Sequence, residues 1–247
     1  MTCFSMRPKK QSDRSETPAA GGPPAAVSEE DLVLVLGAGR FGARAVRILA
    51  GQSNRTLWVV DQDEKRQREL ADLPVHAHLE EGIDFLVSRA PRLPAEAMIV
   101  PAIPIHVAVE WLLRSPHDSI TLNRFPVPDF LKSSLPHTWV GGEGSLLVSY
   151  ADFLCPEDCP EPEDGCTVTG EIRTPLYQVM RDLDVPGFRV HVVQSQQLAP
   201  GLGGYPFQDL LDLRERVLGG GSGGWLIGTA CRCHGTLTGL RVTRDEG

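Results

Sequence analysis

The sequence has no excess of positive charge and no unbroken apolar run long enough to cross a bilayer. Its 247 residues carry 24 Lys and Arg against 32 Asp and Glu, a formal net charge of −8, which argues against a nucleic-acid partner. A membrane helix needs roughly 18 apolar residues, and the best stretch, residues 95–113, is broken by prolines and charge. We therefore expect a soluble, cytoplasmic protein with no membrane span.

Signals for secretion and for hydrolysis are also missing. The first 30 residues have no hydrophobic core of a signal peptide and are rich in Pro, Ser, Gly, Ala and charge. This composition predicts that residues 1–30 are a disordered, dispensable tail, or that the start site is placed too early. No Ser-His-Asp order and no paired carboxylates support a hydrolase, so the sequence assigns no catalytic residue.

What the sequence does contain is a glycine motif between a strand and a helix. Apolar residues 32–36 predict a buried strand, a G-x-G-x-x-G turn follows, and a helical pattern covers residues 40–50. A second predicted strand, residues 56–60, ends at an aspartate. This order is the fingerprint of a dinucleotide-binding unit. The residues expected to contact the dinucleotide are Gly37, Gly39, Arg40, Phe41, Gly42 and Asp61.

Each position of the motif has a physical reason. Gly37 allows a tight turn, Gly39 lets the backbone approach a pyrophosphate, and Gly42 lets the helix pack close to the strand. Unpaired amides at the start of the helix face the phosphates. Asp61 would accept hydrogen bonds from the ribose and repel a 2′-phosphate, which favours NAD over NADP. The alternative is a turn of the same shape that binds nothing.

Three segments resemble the NAD-binding domain of TrkA-type potassium-transport regulators, also called RCK domains. They are residues 35–42, residues 59–61 and the charged run at 63–66, and the resemblance covers roughly residues 32–110. It implies a domain that binds NAD(H) or adenine nucleotides. It also implies a regulatory role in potassium transport, exerted through conformation rather than through chemistry.

Alternating strand and helix patterns predict an α/β fold, a Rossmann-like parallel sheet with a C-terminal Cys-rich α+β module. We expect the NAD-binding domain at 31–125 and the Cys-rich metal- or cluster-binding module at 126–247. The predicted strands are 32–36, 56–60, 75–78, 97–101, 145–150, 188–193 and 225–230. The predicted helices are 40–50, 63–71, 80–88, 105–114, 174–183 and 206–218.

Five of the six cysteines fall in two groups within turn-forming, Pro- and Gly-rich sequence, and the sixth, Cys3, lies in the tail. The two groups are Cys155, Cys159 and Cys166, and Cys231 and Cys233. Together they predict a four-coordinate site for either zinc or a [4Fe–4S] cluster. Two disulfides with a spare thiol, or unliganded thiols, are the alternatives. His234 is either a further ligand or a hydrogen-bonding partner of a sulfur.

Other polar candidates have simpler explanations. Residues 194–205 are glycine-rich and form either an anion-binding nest or, as we favour, a plain connection. His76 and His78 alternate on a short strand, and a surface or hydrogen-bonded role is favoured over acid–base chemistry. His106 is predicted to be a hydrogen-bonded histidine at the edge of the core, and the charged run 61–69 a solvated helix face.

Two functions are compatible with these patterns. The favoured one is an NAD(H)-binding regulatory or redox-sensing protein with a Cys-ligated metal or iron–sulfur site, acting on a transporter or a redox partner protein, with a homodimer as an open alternative. The other is an NAD-dependent oxidoreductase acting on a small or cyclic substrate, with a structural zinc or [4Fe–4S] centre. NADH cannot pass two electrons directly to a one-electron cluster without an intermediary such as a flavin. Because no flavin motif is present, sensing is favoured.

Overall fold

The computed structural model describes residues 31–52 and 55–244. The predicted tail, residues 1–30, lies outside the described residues, and so does Cys3 within it. In the two described ranges, no helix combines the length and the apolarity that crossing a membrane requires.

The described residues form twelve strands and seven α-helices. The strands are β1 (Leu32–Leu36), β2 (Thr56–Asp61), β3 (His76–Leu79), β4 (Met98–Pro101), β5 (Ile120–Phe125), β6 (His137–Val140), β7 (Leu146–Ser149), β8 (Phe188–Gln194), β9 (Gln196–Ala199), β10 (Leu202–Pro206), β11 (Gly223–Ala230) and β12 (His234–Arg244). The helices are α1 (Arg40–Ala50), α2 (Glu64–Arg68), α3 (Gly82–Arg89), α4 (Val107–Arg114), α5 (Leu131–Ser134), α6 (Leu176–Arg181) and α7 (Phe207–Gly219).

Every strand and helix predicted from the sequence is present, with ends shifted by a few residues. β1 is buried at all five positions, as its unbroken apolar run predicts for a central strand. Strands β5, β6, β9, β10 and β12 were not predicted. The favoured interpretation of residues 194–205 as a plain connection is wrong, because they contribute to β9 and β10. Glycine-rich strands carry little of the β-branched and aromatic signal on which strand prediction depends.

The first sheet has the strand order β3-β2-β1-β4-β10-β9. β1 pairs in parallel with β2 and with β4, and β2 pairs in parallel with β3. β10 runs antiparallel to β4, and β9 runs antiparallel to β10. The prediction of a parallel sheet is therefore correct for four strands, and the complete sheet is mixed.

The second sheet has the order β6-β7-β12-β11-β8, and β5 also pairs with β12. β12 is long enough to pair along one edge with β7 near its start and with β5 near its end. β11 and β8 are parallel, and the other pairings are antiparallel. The protein is thus an α/β protein built on two mixed sheets.

The division between the sheets does not coincide with the predicted boundary at residue 125. β5 precedes that boundary but belongs to the second sheet, whereas β10 follows it and completes the first. One hydrophobic cluster contains residues of both sheets, among them Leu34 of β1 and Ile227 of β11. The rings of Trp111 on α4 and Phe207 on α7 meet edge to face at 5.7 Å within it. The chain therefore passes from each sheet to the other, and the two sheets share one hydrophobic core.

Candidate functional site

The glycine loop between β1 and α1 is shaped by its first and third glycines. Gly37 has a φ of 98°, a conformation that other residues adopt only with strain. A Cβ at Gly37 would lie 2.8 Å from the carbonyl oxygen of Ala102, and one at Gly42 would overlap the carbonyl oxygen of Gly37. Both glycines are therefore required by the packing of the protein itself.

Gly39 is different, because no packing among the described residues requires it. A Cβ built on Gly39 would meet only the guanidinium of Arg66, 3.9 Å away. Its backbone, with φ −65° and ψ −169°, is ordinary extended backbone at the N-cap of α1. The space next to the Gly39 backbone is therefore open, and a side chain at this position would fill it. We call this space the cradle.

Asp61 holds the glycine loop to the end of β2. It is 6% exposed, and its carboxylate accepts hydrogen bonds from the amide of Ala38 at 2.7 Å and from the amide of Asp63 at 2.8 Å. Arg66 lies 3.5 Å from the same carboxylate. Asp61 was predicted as a partner of the ribose, and its first partners in the structure are backbone amides.

All five cysteines of the two predicted groups, together with His234, line one cleft of about 800 Å³. We call it the cysteine cleft. Cys155, Cys159 and Cys166 come from the long loop between β7 and α6, and Cys231 and Cys233 come from the turn between β11 and β12. That turn is closed by a hydrogen bond from the amide of Cys231 to the carbonyl of His234, at 2.9 Å. Tertiary folding thus brings together groups that are more than 60 residues apart.

The donor atoms in the cleft are close to one another but do not converge. His234 lies between two sulfurs, with Nε2 3.7 Å from Cys155 Sγ and Nδ1 4.0 Å from Cys231 Sγ. None of these five thiols is in a disulfide. Within residues 31–52 and 55–244, no three His, Cys, Asp or Glu side chains are arranged to hold a metal ion. The donor set suits zinc or an iron–sulfur cluster in its chemistry, and binding would require the donor side chains to rearrange.

Burial and negative charge oppose ionisation of the deeper thiols. Burial, and then the carboxylate of Glu161, raise the pKa of Cys231 to about 12 and that of Cys233 to about 11. Burial and the neighbouring Cys159 and Cys166 raise the pKa of Cys155. Cys166 is the opposite case, since hydrogen bonds from Thr169 and Val168 lower its pKa. Thiols with a raised pKa stay protonated at neutral pH unless a cation stabilises the thiolate.

The glycine loop and the cysteine cleft are in direct contact. Arg40, the first residue of α1 after Gly39, forms an ion pair with Glu157, which lies between Cys155 and Cys159 in the sequence. One turn further on, Arg44 donates to the carbonyls of Pro200 and Gly201, at 3.1 Å in each case. The amino-terminal turn of α1 is therefore attached by two arginines to the structures that form the cleft.

The turn at Gly201 completes this attachment. The amide of Gly201 donates to the carbonyl of Cys159 at 2.8 Å, and Gln197 Nε2 donates to the same carbonyl at 2.9 Å. A Cβ at Gly201 would overlap the carbonyl oxygen of Glu157. These contacts of Gly201 and Arg44 were not predicted from the sequence, because their partners are more than 35 residues away and no local pattern marks them.

Arg40 and Phe41 were predicted to contact the dinucleotide, and the structure places their side chains on the cysteine cleft. Phe41 is 68% exposed at its rim. The backbone of both residues remains in the first turn of α1, next to Gly39. Their position therefore connects the two predicted sites.

Two histidines outside the cleft, His106 and His78, contact the interior of the protein. His106 is buried and lies 2.8 Å from Thr238 Oγ1 and 2.9 Å from Thr229 Oγ1, which confirms its prediction as a hydrogen-bonded core-edge histidine. Burial lowers its pKa to about 3. His78 packs between the rings of Trp58 and Phe85, with centroids 5.1 and 4.7 Å away, so it is a packed residue of the first sheet.

The fold and the site together define an α/β protein in which a glycine loop is joined to a cysteine-lined cleft. Residues 108–243 match a family described as "Uncharacterized protein, C-terminal domain". An uncharacterized protein of Archaeoglobus fulgidus is 33% identical over 228 residues, which cover 84% of this chain and 98% of the relative. The chain belongs to the family of this archaeal protein. No solved structure matches the chain described here.

Proposed function

We propose that this protein is a cytoplasmic, NAD(H)-binding regulator that senses redox state through a Cys-ligated metal or iron–sulfur site. The observation that carries the proposal is the ion pair between Arg40 and Glu157, which joins the glycine loop directly to the cysteine loop. The regulated partner is a transporter or a redox protein, in keeping with the resemblance to TrkA-type regulators.

The proposed NAD site lies over Gly39, and the first sheet is interpreted as Rossmann-like. In open α/β sheets, ligands bind outside the carboxyl ends of the strands, and Gly39 follows the carboxyl end of β1. The open cradle over Gly39 fits a pyrophosphate, which the unpaired amides at the start of α1 would bind. Asp61 and Arg66 lie beside the loop, where the adenosine ribose would be held.

The proposed metal site uses thiolates from both cysteine groups. Cys155, Cys159 and Cys166 would supply ligands from one side of the cleft, and Cys231 and Cys233 from the other. A bound zinc ion would crosslink the two segments, and a bound [4Fe–4S] cluster would also accept or donate one electron. His234, between Cys155 and Cys231, is available as a ligand or as a hydrogen-bond donor to sulfur.

An NAD-dependent oxidoreductase is the second candidate, and the position of the cleft favours it. β10 is antiparallel to β4, with Tyr205 opposite Ile99, so Leu202 lies towards the carboxyl end of β4. Leu202 and Gly203 also line the cysteine cleft. The nicotinamide half of a dinucleotide extends from the glycine loop towards this part of a Rossmann-like sheet, so a small or cyclic substrate in the cleft would be within reach.

Replacing Gly39 by alanine tests the nucleotide site. The new Cβ would occupy the cradle, so we expect the affinity for NADH to fall at least tenfold, which is about 1.4 kcal/mol. The free energy of unfolding should change by less than about 1 kcal/mol, because the backbone at Gly39 is accessible to alanine. Calorimetric titration with NADH and NADPH, and urea unfolding, measure both quantities. We expect NADH to bind more tightly than NADPH.

Gly42→Ala is the matched control, since its Cβ would overlap the carbonyl oxygen of Gly37 and should destabilise the loop itself. If Gly39→Ala binds NADH as well as the unmodified protein, the nucleotide site is wrong. Equal or tighter binding of NADPH would contradict the role given to Asp61.

Replacing Glu157 by glutamine tests the coupling between the two sites. A pyrophosphate at the start of α1 would compete with Glu157 for the guanidinium of Arg40, and so release the cysteine loop. We expect NADH to accelerate the reaction of the loop thiols with an aromatic disulfide reagent severalfold in the unmodified protein. Glu157→Gln should react rapidly whether or not NADH is present.

Glu163→Gln is the control, because Glu163 lies in the same loop but its side chain is 93% exposed and 3.8 Å from Arg232. It should behave as the unmodified protein does. If NADH does not change the rate at which the thiols of the unmodified protein react, the two sites are not coupled and the proposal of redox sensing is contradicted.

A further inference from the structure

Glu161 has an unfavourable backbone conformation inside the cysteine loop. Its φ of 50° lies in the left-handed region, which residues other than glycine adopt at a cost. Pro162 follows it, and a residue before proline is normally held in extended conformations. Strain of this kind persists where the surrounding structure enforces it, and it is frequent at functional sites.

The strained backbone directs the Glu161 carboxylate across the cleft. Glu161 Oε1 accepts a hydrogen bond from the backbone amide of Arg232 at 2.9 Å. Arg232 stands between Cys231 and Cys233 in the turn that joins β11 and β12. Glu161 itself stands between Cys159 and Cys166, so this one bond connects the middle of one cysteine group to the middle of the other.

A second observation places the carboxylate among the thiols. Glu161 lines the cysteine cleft together with Cys231 and Cys233. The Glu161 carboxylate fixes the distance between the two cysteine groups.

We propose that Glu161 is the positioning residue that assembles the two cysteine groups into one cation site. The inference rests on the metal site of the proposed function and adds the residue that organises it. The carboxylate binds the Cys231–Cys233 turn and thereby holds all five thiols around the cleft before any cation enters. Because the groups are already together, a divalent cation can gain ligands from both with less rearrangement of the backbone.

Replacing Glu161 by glycine tests whether the carboxylate, rather than the left-handed backbone turn alone, positions the two cysteine groups. Glycine relieves the left-handed strain and removes the carboxylate. We expect the affinity for Zn²⁺, measured by chelator competition under anaerobic conditions, to fall at least tenfold. The thiolate-to-metal absorption of the Co²⁺-loaded protein should weaken and change shape. Glu161→Gln retains an oxygen that can accept from the Arg232 amide, and should restore most of the affinity.

Glu143→Gly is the matched control, since Glu143 is also left-handed, with a φ of 54°, and lies outside the cleft. It should leave Zn²⁺ affinity unchanged. Unchanged Zn²⁺ affinity in Glu161→Gly would overturn the proposal.

Amide hydrogen exchange of residues 231–233 tests the positioning role without any metal. Loss of the acceptor should raise exchange at Arg232 at least tenfold in Glu161→Gly and not in Glu143→Gly. If the unmodified protein binds neither Zn²⁺ nor Co²⁺ but the exchange rises as expected, the metal site fails and the positioning of the turn is supported. Unaltered exchange in Glu161→Gly overturns the inference whatever the metal result.

Discussion

Replacing Cys159 or Cys233 by serine is expected to abolish stoichiometric metal in protein prepared without oxygen. Neither cysteine group holds a complete site, and the structure brings both to one cleft. Loss of a thiolate from either side should therefore disable the whole site rather than half of it. Metal analysis and visible absorption of the purified protein measure this loss, and they also distinguish zinc from an iron–sulfur cluster.

Thr167→Ala is the control, because Thr167 Oγ1 lies 3.6 Å from Cys159 Sγ and contributes no thiolate. It should retain the metal. Protein that is metal-free and stable with all five thiols reactive would eliminate the metal site and leave the glycine loop as the only candidate. Loss of metal in Cys159→Ser but not in Cys233→Ser would remove Cys233 from the ligand set and leave Cys231 as the thiol that the turn contributes.

Replacing Phe207 by alanine is expected to lower the free energy of unfolding by about 3–5 kcal/mol, the usual cost of removing a buried aromatic ring. Phe207 is fully buried, begins α7 and packs edge to face against Trp111 of α4. Its amide also donates to the carbonyl of Ala97, just before β4. The ring therefore connects a late segment of the chain to the core of the first sheet. Urea unfolding at equilibrium measures the change.

Phe130→Ala is the control for ring removal as such, since Phe130 is 51% exposed. It should cost less than about 1 kcal/mol. A similarly small loss for Phe207→Ala would contradict the shared core. A large loss would show that residues 31–125 depend on core residues from later in the chain. An isolated fragment of residues 31–125 would then lack part of its hydrophobic core.

The glycine loop could be predicted because its signals are local. A continuous apolar run makes β1, the glycines permit the turn, and amphipathic spacing makes α1. All three depend on residues within about one helical turn or one strand of each other. The same reasoning predicted Asp61 at the end of β2, but not that its carboxylate accepts from the amides of Ala38 and Asp63. Those bonds depend on how two loops meet.

The position of β10 could not be predicted, since its glycine-rich sequence resembles a connection. It forms a strand because the edge of β4 offers unpaired backbone groups, which Tyr205 and its neighbours satisfy in antiparallel register. For the same reason β5 was not predicted from the sequence. Its partner, β12, lies more than 100 residues later in the chain, and the pairing is set by the sheet rather than by local propensity.

The sequence alone determined the glycine loop, the order of most helices and strands, and the two groups of cysteines. These follow from periodicity, turn residues and spacing, which act over short distances along the chain. Only the tertiary structure decided that the cysteine groups share a cleft, that Arg40 and Glu157 join this cleft to the glycine loop, and that Glu161 bridges the groups. Each of these depends on contacts between residues far apart in sequence, which are fixed only when both sheets pack on their common core.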